Sequence, residues 1–140
     1  MTGQYTVCSI VPDAFPAVAA LRSYNGRRWT AADVANTVGQ GHGVMAVDEV
    51  AEVVVAAAIA IPRQGELRVV FLSSHSRAVT AALIAALRAA AKTCDPATAT
   101  ARGDQAPQDR LRAVGFRPVR AIKRNWRRPC QFLFQYRESK

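Results

Sequence analysis

Gly115-Phe116-Arg117-Pro118-Val119-Arg120-Ala121-Ile122-Lys123-Arg124-Asn125-Trp126 is the stretch on which the reading of this chain turns. In front of it, Asp109-Arg-Leu-Arg-Ala-Val114 reads as the end of a helix, which Gly115 closes. Behind it, Cys130-Gln-Phe-Leu-Phe-Gln-Tyr136 is aromatic-rich and reads as a strand. The chain therefore finishes as a helix, a Gly-Phe step and two strands.

Working back from that end, Gln108 to Val114 is a helix and Gly103 to Pro107 a loop. Ala97 to Ala101 is a short strand after the break at Asp95-Pro96. Thr80 to Lys92 is an Ala/Leu helix with Leu83, Ile84 and Leu87 on one face. Ser73 to Arg77 is a polar loop after the strand Glu66 to Leu72, and Gln64-Gly65 is a turn. Gly43 to Val47 and Val53 to Ile61 form a hairpin across Asp48 to Glu52, with Pro62 ending its second strand. Trp29-Thr30-Ala-Ala-Asp33 has the spacing of a capping box, so a helix should run to Val38 and stop at Gly39. Val7 to Val11 suits a first strand, and a helix from Pro12-Asp13 should end at Asn25-Gly26. The order is β-αα-β-β-β-α-β-α-β-β, which suits a mixed sheet with helices on both faces.

A chain of 140 residues that is 50% apolar is long enough for one domain with its own core. Cys8, Cys94 and Cys130 are an odd set with no C-x-x-C pair, so neither a zinc site nor a disulfide framework is expected, and no metal. No signal peptide is expected from residues 1–8, which lack a basic start and a long apolar run, and the apolar run Val50 to Ile61 is too short to span a bilayer. A cytoplasmic protein with reduced thiols and no membrane partner is expected.

The formal charge is +9, with sixteen Arg against three Lys. A base composition rich in G and C explains the Arg-to-Lys ratio but not the net charge. The charge is concentrated: Arg110, Arg112, Arg117, Arg120, Lys123, Arg124, Arg127 and Arg128 fall within nineteen residues that hold no acid. Arg117, Arg120, Lys123, Arg124, Trp126, Arg127 and Arg128 are candidates for contacting nucleic acid, the ribosome or an acidic partner, with Trp126 stacking on a base. The alternative reading of Trp126 is a cover for the sheet edge, and that of Phe116 is a core residue.

A helix ending at Gly115-Phe116 with a two-stranded finish resembles the GCN5-related N-acetyltransferase (GNAT) superfamily. Within it, Trp29-Thr30 after the first helix and Lys123-Arg124-Asn125-Trp126 resemble the ribosomal-protein alanine N-acetyltransferases. The resemblance implies one α/β domain over residues 1–140, with a mixed, mostly antiparallel sheet flanked by helices on both faces. It implies transfer from acetyl-CoA or another acyl-CoA to an amine by direct attack in a ternary complex. The amine would belong to a small molecule or a protein N-terminus. The donor would lie where the fourth strand leaves the fifth, with the main chain of Val69, Val70, Phe71 and Leu72 against the pantetheine. The loop Ser74, His75, Ser76, Arg77, Ala78, Val79 and Thr80 would meet the pyrophosphate, as the start of a helix can.

The superfamily writes that loop as Gln/Arg-x-x-Gly-x-Gly/Ala. Registered on Leu83-Ile84, His75 takes the first place and Ala78 and Thr80 the glycine places; in the other register Arg77 comes first, then Thr80 and Ala82. Neither register keeps the glycines, which elsewhere let a phosphate approach the main chain with no Cβ in the way. Ser74, Ser76, Thr80 and Arg77 could compensate through side-chain contacts. The plain alternative is a Ser cluster that caps the helix beside a solvated Arg. Asp104 falls where family members carry Asn, Leu111 where they carry the acid Tyr, and Ala99 near the base Glu. Leu cannot protonate a leaving thiolate, so that general acid is absent. The remaining base candidates are Glu66, at the start of a strand, and His42, between two glycines. Asp48, Glu49 and Glu52 fit a turn. Tyr136 and Tyr24 become candidates for the acid if the fold carries them to the thioester. An edge strand near Phe132-Leu133-Phe134 would offer pairing for a homodimer.

Overall fold

A computed structural model describes residues 4–102, 105–122 and 131–137. Its strands are β1 (Tyr5–Ser9), β2 (His42–Asp48), β3 (Val54–Arg63), β4 (Glu66–Ser73), β5 (Ala97–Arg102), β6 (Phe116–Ile122) and β7 (Gln131–Tyr136). Its helices are α1 (Phe15–Ala20), entered through a 3₁₀ turn at Pro12–Ala14, α2 (Ala31–Gln40), α3 (Arg77–Ala91) and α4 (Gln105–Ala113). The strands make one sheet in the order β1-β2-β3-β4-β5-β7-β6, and all neighbours are antiparallel except β4 and β5.

The two faces of the sheet carry separate apolar layers. Val44, Ala58, Leu67, Val69 and Phe134 pack with Leu83, Ile84 and Leu87 of α3 and Leu111 of α4. On the other face, Met45, Ile59 and Phe71 pack with Val18 of α1 and Val34 of α2. The runs of buried Ala on β3 let the two layers lie close to that strand on both sides. Trp29 meets Phe71 edge-on, with ring centroids 5.1 Å apart. The capping box is present: Thr30 Oγ1 accepts from the Asp33 N–H at 3.1 Å, and Asp33 accepts from the Thr30 N–H at 2.9 Å.

Several sequence expectations are corrected. The first strand covers Tyr5–Ser9, two residues earlier than expected, and α1 stops at Ala20 instead of running to Asn25-Gly26. Leu21 is extended because Ser23 and Tyr24 are drawn onto β4. Gly39 lies inside α2, and Pro62 lies inside β3, opposite Leu67. Pairing of β3 with β2 ends at Ala60, so the missing Pro62 N–H faces no strand on that side. Helix α3 begins at Arg77, capped by Ser76, and α4 begins at Gln105 with Pro107 in its first turn, where the absent N–H costs no helical bond. Strand β7 is not an edge: it lies between β5 and β6, so Phe132-Leu133-Phe134 offers no free pairing groups, and β6 is the edge instead.

Candidate functional site

Strands β4 and β5 pair only at Leu67–Ala97 and Arg68–Thr98, and then separate. Beyond that point β4 runs on to Ser73 and β5 to Arg102 with no ladder between them. A register shift between Ile59 and Ala60 leaves Val70 on β4 with no partner on β3. Val70 and Phe71 both face the α1/α2 layer, as a bulge requires. The site is this opening, together with what borders it.

Ser23 and Tyr24, between α1 and α2, lie along the open side of β4. The Tyr24 N–H donates to the Leu72 carbonyl at 2.8 Å, and the Leu72 N–H donates to Ser23 Oγ at 3.3 Å. The Tyr24 hydroxyl crosses to β5 and donates to the Thr100 carbonyl at 2.6 Å. Arg110 of α4 donates to the Tyr24 carbonyl at 2.9 Å. The main-chain groups of Leu72, expected to meet a pantetheine, are therefore already paired within the chain. Burial pushes the Tyr24 hydroxyl up to about 12, against the opposing effect of its bond to Thr100, so it keeps its proton at neutral pH.

At the end of β4, Ser76 caps α3 by accepting from the Val79 N–H at 3.0 Å. The Thr80 hydroxyl lies 2.8 Å from both the Ser76 carbonyl and Ser74 Oγ, and its side chain is fully buried. Thr80 therefore faces the core. Its hydroxyl is engaged with Ser76 and Ser74, where the sequence reading had offered it to a phosphate. Ala78 is exposed at the first turn, where the N–H groups of Arg77 and Ala78 have no intrahelical acceptor. Val79 is half-buried against the core, and His75 and Arg77 are exposed.

Cavities flank this turn on both sides. One of about 350 Å³ is bordered by Arg77, Ala78, Gly115, Tyr136 and Arg137. Another, of about 210 Å³, is bordered by Arg22, Tyr24, Leu72, Ser74, His75 and Arg110. Val114 borders both, and among the described residues neither has an acidic residue in its lining. A third, of about 420 Å³, lies beyond Tyr24 against Asn25, Arg27, Thr100 and Arg102.

The expected base candidates lie elsewhere. Glu66 sits six residues before Leu72 on β4, roughly 20 Å away at the strand rise, and accepts from Arg68 Nε at 2.6 Å and Thr98 Oγ1 at 2.7 Å. The bond from Thr98 and the charge of Arg68 outweigh the effect of its burial and hold its carboxyl below the ordinary range. That makes Glu66 an ion-pair partner and a poor base. His42 pairs with Ala60 on β2, two strands from the opening. Tyr136 packs edge-on against Phe116 at 5.5 Å and borders the cavity beside α3, not the opening between β4 and β5. Arg117 and Arg120 are exposed on the edge strand β6. Asp104, Lys123, Arg124, Trp126, Arg127 and Arg128 lie outside the described residues.

Solved structures share this fold over nearly the whole chain. The ribosomal-protein alanine N-acetyltransferase of Escherichia coli superposes with a TM-score of 0.67 at 14% identity, covering 98% of this chain and 97% of that one. The chain has the GNAT fold. The aminoglycoside 6′-N-acetyltransferase of Enterococcus faecium shares it with a TM-score of 0.64 at 13% identity, covering 94% of this chain and 96% of that one. A GNAT-family acetyltransferase of Bacillus cereus does so with a TM-score of 0.63 at 10% identity, covering 99% and 100%. No protein-family sequence model matches the chain, and no curated protein sequence matches it. Ser23, Tyr24 and Arg110 complete the site, although no spacing in the sequence links them to β4 and β5.

Proposed function

We propose that this protein transfers an acyl group from an acyl-CoA thioester to an amine. The observation that carries the reading is the opening of β4 away from β5 beside the first turn of α3. The bordering cavities suit a polyanionic donor: Arg22, Arg77, Arg110 and Arg137 line them and, among the described residues, no acid does. The Arg77 and Ala78 N–H groups and the partial positive charge of the helix start would meet the pyrophosphate. An acyl-CoA supplies the activated carbonyl. The residues of this chain bind it, orient it and keep water from it.

The apolar walls at Leu72 and Val114 would take the pantetheine on the side of Tyr24 that faces α3. The bulge at Val70 interrupts the β3–β4 ladder beside the opening, where a main-chain N–H would be suited to polarise a carbonyl. The acceptor amine, on a small molecule or a protein N-terminus, would enter from the cavity beyond Thr100. It would lose its proton to water, since among the described residues no carboxylate borders that cavity. The names of the structural neighbours, which are N-acetyltransferases, support the reaction class. The direct test is release of free thiol from acetyl-CoA in the presence of a panel of amines and short peptides. Thiol release that depends on the amine supports the reading, and release at the no-enzyme rate with every amine opposes it.

A second reading rests on the charge of +9 and on Arg117 and Arg120 exposed along the edge strand. On that reading the basic surface binds nucleic acid or the ribosome, either to deliver the enzyme to its acceptor or in place of catalysis. Affinity for a short duplex should then fall steeply as salt rises.

A further inference from the structure

Tyr24 stands where the two halves of the site meet. Its main chain is fixed on Leu72 of β4 and its hydroxyl on Thr100 of β5. Carrying the Leu67–Ala97 register forward brings Val70, the bulged residue, level with Thr100. The phenol oxygen, 2.6 Å from the Thr100 carbonyl, therefore lies on the β5 side of the opening. On one side is the cavity that reaches the start of α3, and on the other the cavity lined by Arg27 and Arg102. Leu111 of α4, which has no group to donate, is buried in the same apolar layer as Tyr24. Its neighbour Arg110 ties α4 to the Tyr24 carbonyl. The loop between α1 and α2 thus sets a hydroxyl at the β5 side of the opening.

The geometry points to Tyr24 as the hydrogen-bond donor to the leaving sulfur of the acyl donor, a role that rests on the acyltransferase reading above. In the step, the amine lone pair forms the bond to the acyl carbon. The carbon–sulfur bond breaks with its electron pair on sulfur. The Tyr24 hydroxyl turns from Thr100 to that sulfur, and the proton from nitrogen leaves to water. A buried phenol near 12 is a weaker acid than a thiol near 8.5. The proton therefore stays on oxygen, and Tyr24 acts by stabilising the charge that forms on sulfur.

Tyr24→Phe keeps the ring and removes only the oxygen. With acetyl-CoA and any accepted amine, kcat should fall about a hundredfold, the typical effect of losing one such donor, while KM for acetyl-CoA stays within about threefold. Replacing acetyl-CoA by an aryl thioester, whose thiolate needs less stabilisation, should recover most of that loss. A readout without turnover is the ultraviolet absorbance of the thiolate of bound CoA. The bound thiol should ionise about one pH unit lower on the native protein than on Tyr24→Phe. If Tyr24→Phe does not fold, the native protein alone decides: its kcat should depend only weakly on the acidity of the leaving thiol. Unchanged kcat in a folded Tyr24→Phe, an unchanged thiol titration, or a steep dependence on thiol acidity overturns the proposal. If native protein neither binds CoA nor releases thiol, the acyltransferase reading fails and the role of Tyr24 with it.

Discussion

Gly115→Ala should be among the most damaging small substitutions in this chain, for two reasons that can be separated. Gly115 has φ +109°, a region that side chains rarely adopt, and holding Ala there costs about 1–3 kcal/mol. A Cβ at this position would also lie 3.0 Å from Tyr136 Cε1. Tyr136 is buried and packed edge-on against Phe116, so its ring has little room to give; such crowding adds about 1–3 kcal/mol. The backbone around Gly115 is fixed as well: its N–H donates to the Arg112 carbonyl at 3.2 Å, and its carbonyl accepts from the Arg137 N–H at 3.0 Å. Gly26→Ala is the control. Gly26 has φ +76° but nothing within 4 Å of an added Cβ, so only the backbone term of about 1–2 kcal/mol applies. Urea unfolding followed by circular dichroism should show the larger drop in midpoint for Gly115→Ala, with unchanged m-values. Equal losses for the two variants would refute the packing part of this reasoning.

Thr30→Ala removes one half of the capping box and should cost about 1 kcal/mol, read as a lower melting temperature. Glu66 has a depressed carboxyl, so its pairing with Arg68 and Thr98 stabilises the fold above its unfolded value near 4.5 and fades as pH falls through its lower folded value. Glu66→Gln should therefore melt lower than native protein at pH 7, and the difference should shrink below pH 4.5. Ser76→Ala removes the cap of α3 and should cost about 1 kcal/mol in a urea melt while weakening CoA affinity only slightly, because the N–H groups of Arg77 and Ala78 remain. If the basic edge contacts nucleic acid, Arg117→Gln with Arg120→Gln should lower the slope of log affinity against log salt by about 1–2.

Much of the fold was legible because local chemistry agreed with the tertiary result. The helix that Gly115 closes, the Thr30–Asp33 capping box, the β2–β3 hairpin and the Leu83-Ile84-Leu87 face all depend on neighbours in sequence. Strand order was less legible: β7 inserts between β5 and β6, and nothing in Cys130 to Tyr136 records which of its two edges is covered. Helix starts were read late at α3 and α4 because Ser73 to Arg77 and Gly103 to Pro107 were read as loops, although Ser76 suits an N-cap and Pro107 a first turn. The site was legible as a location, the loop after β4, but not as a set of side chains. Thr80 looked like a ligand because Thr is polar; its hydroxyl is held inside by Ser74 and Ser76. Glu66 looked like a base because it is acidic; Arg68 and Thr98 hold it as an ion-pair partner. Tyr24 reaches Thr100 across 76 residues of chain, a contact that periodicity cannot encode.

The most direct measurement of the central claim is thermal unfolding with increasing acetyl-CoA. A donor that binds the opening between β4 and β5 stabilises the folded chain by about 2.7 kcal/mol at a hundred times its dissociation constant. For a chain of 140 residues that is a rise of about 10 °C, growing with the logarithm of concentration. Such a rise, with acetyl-CoA and CoA but not with adenine alone, is the result the account predicts. No shift up to millimolar acetyl-CoA would contradict it and leave the GNAT fold here serving some other purpose.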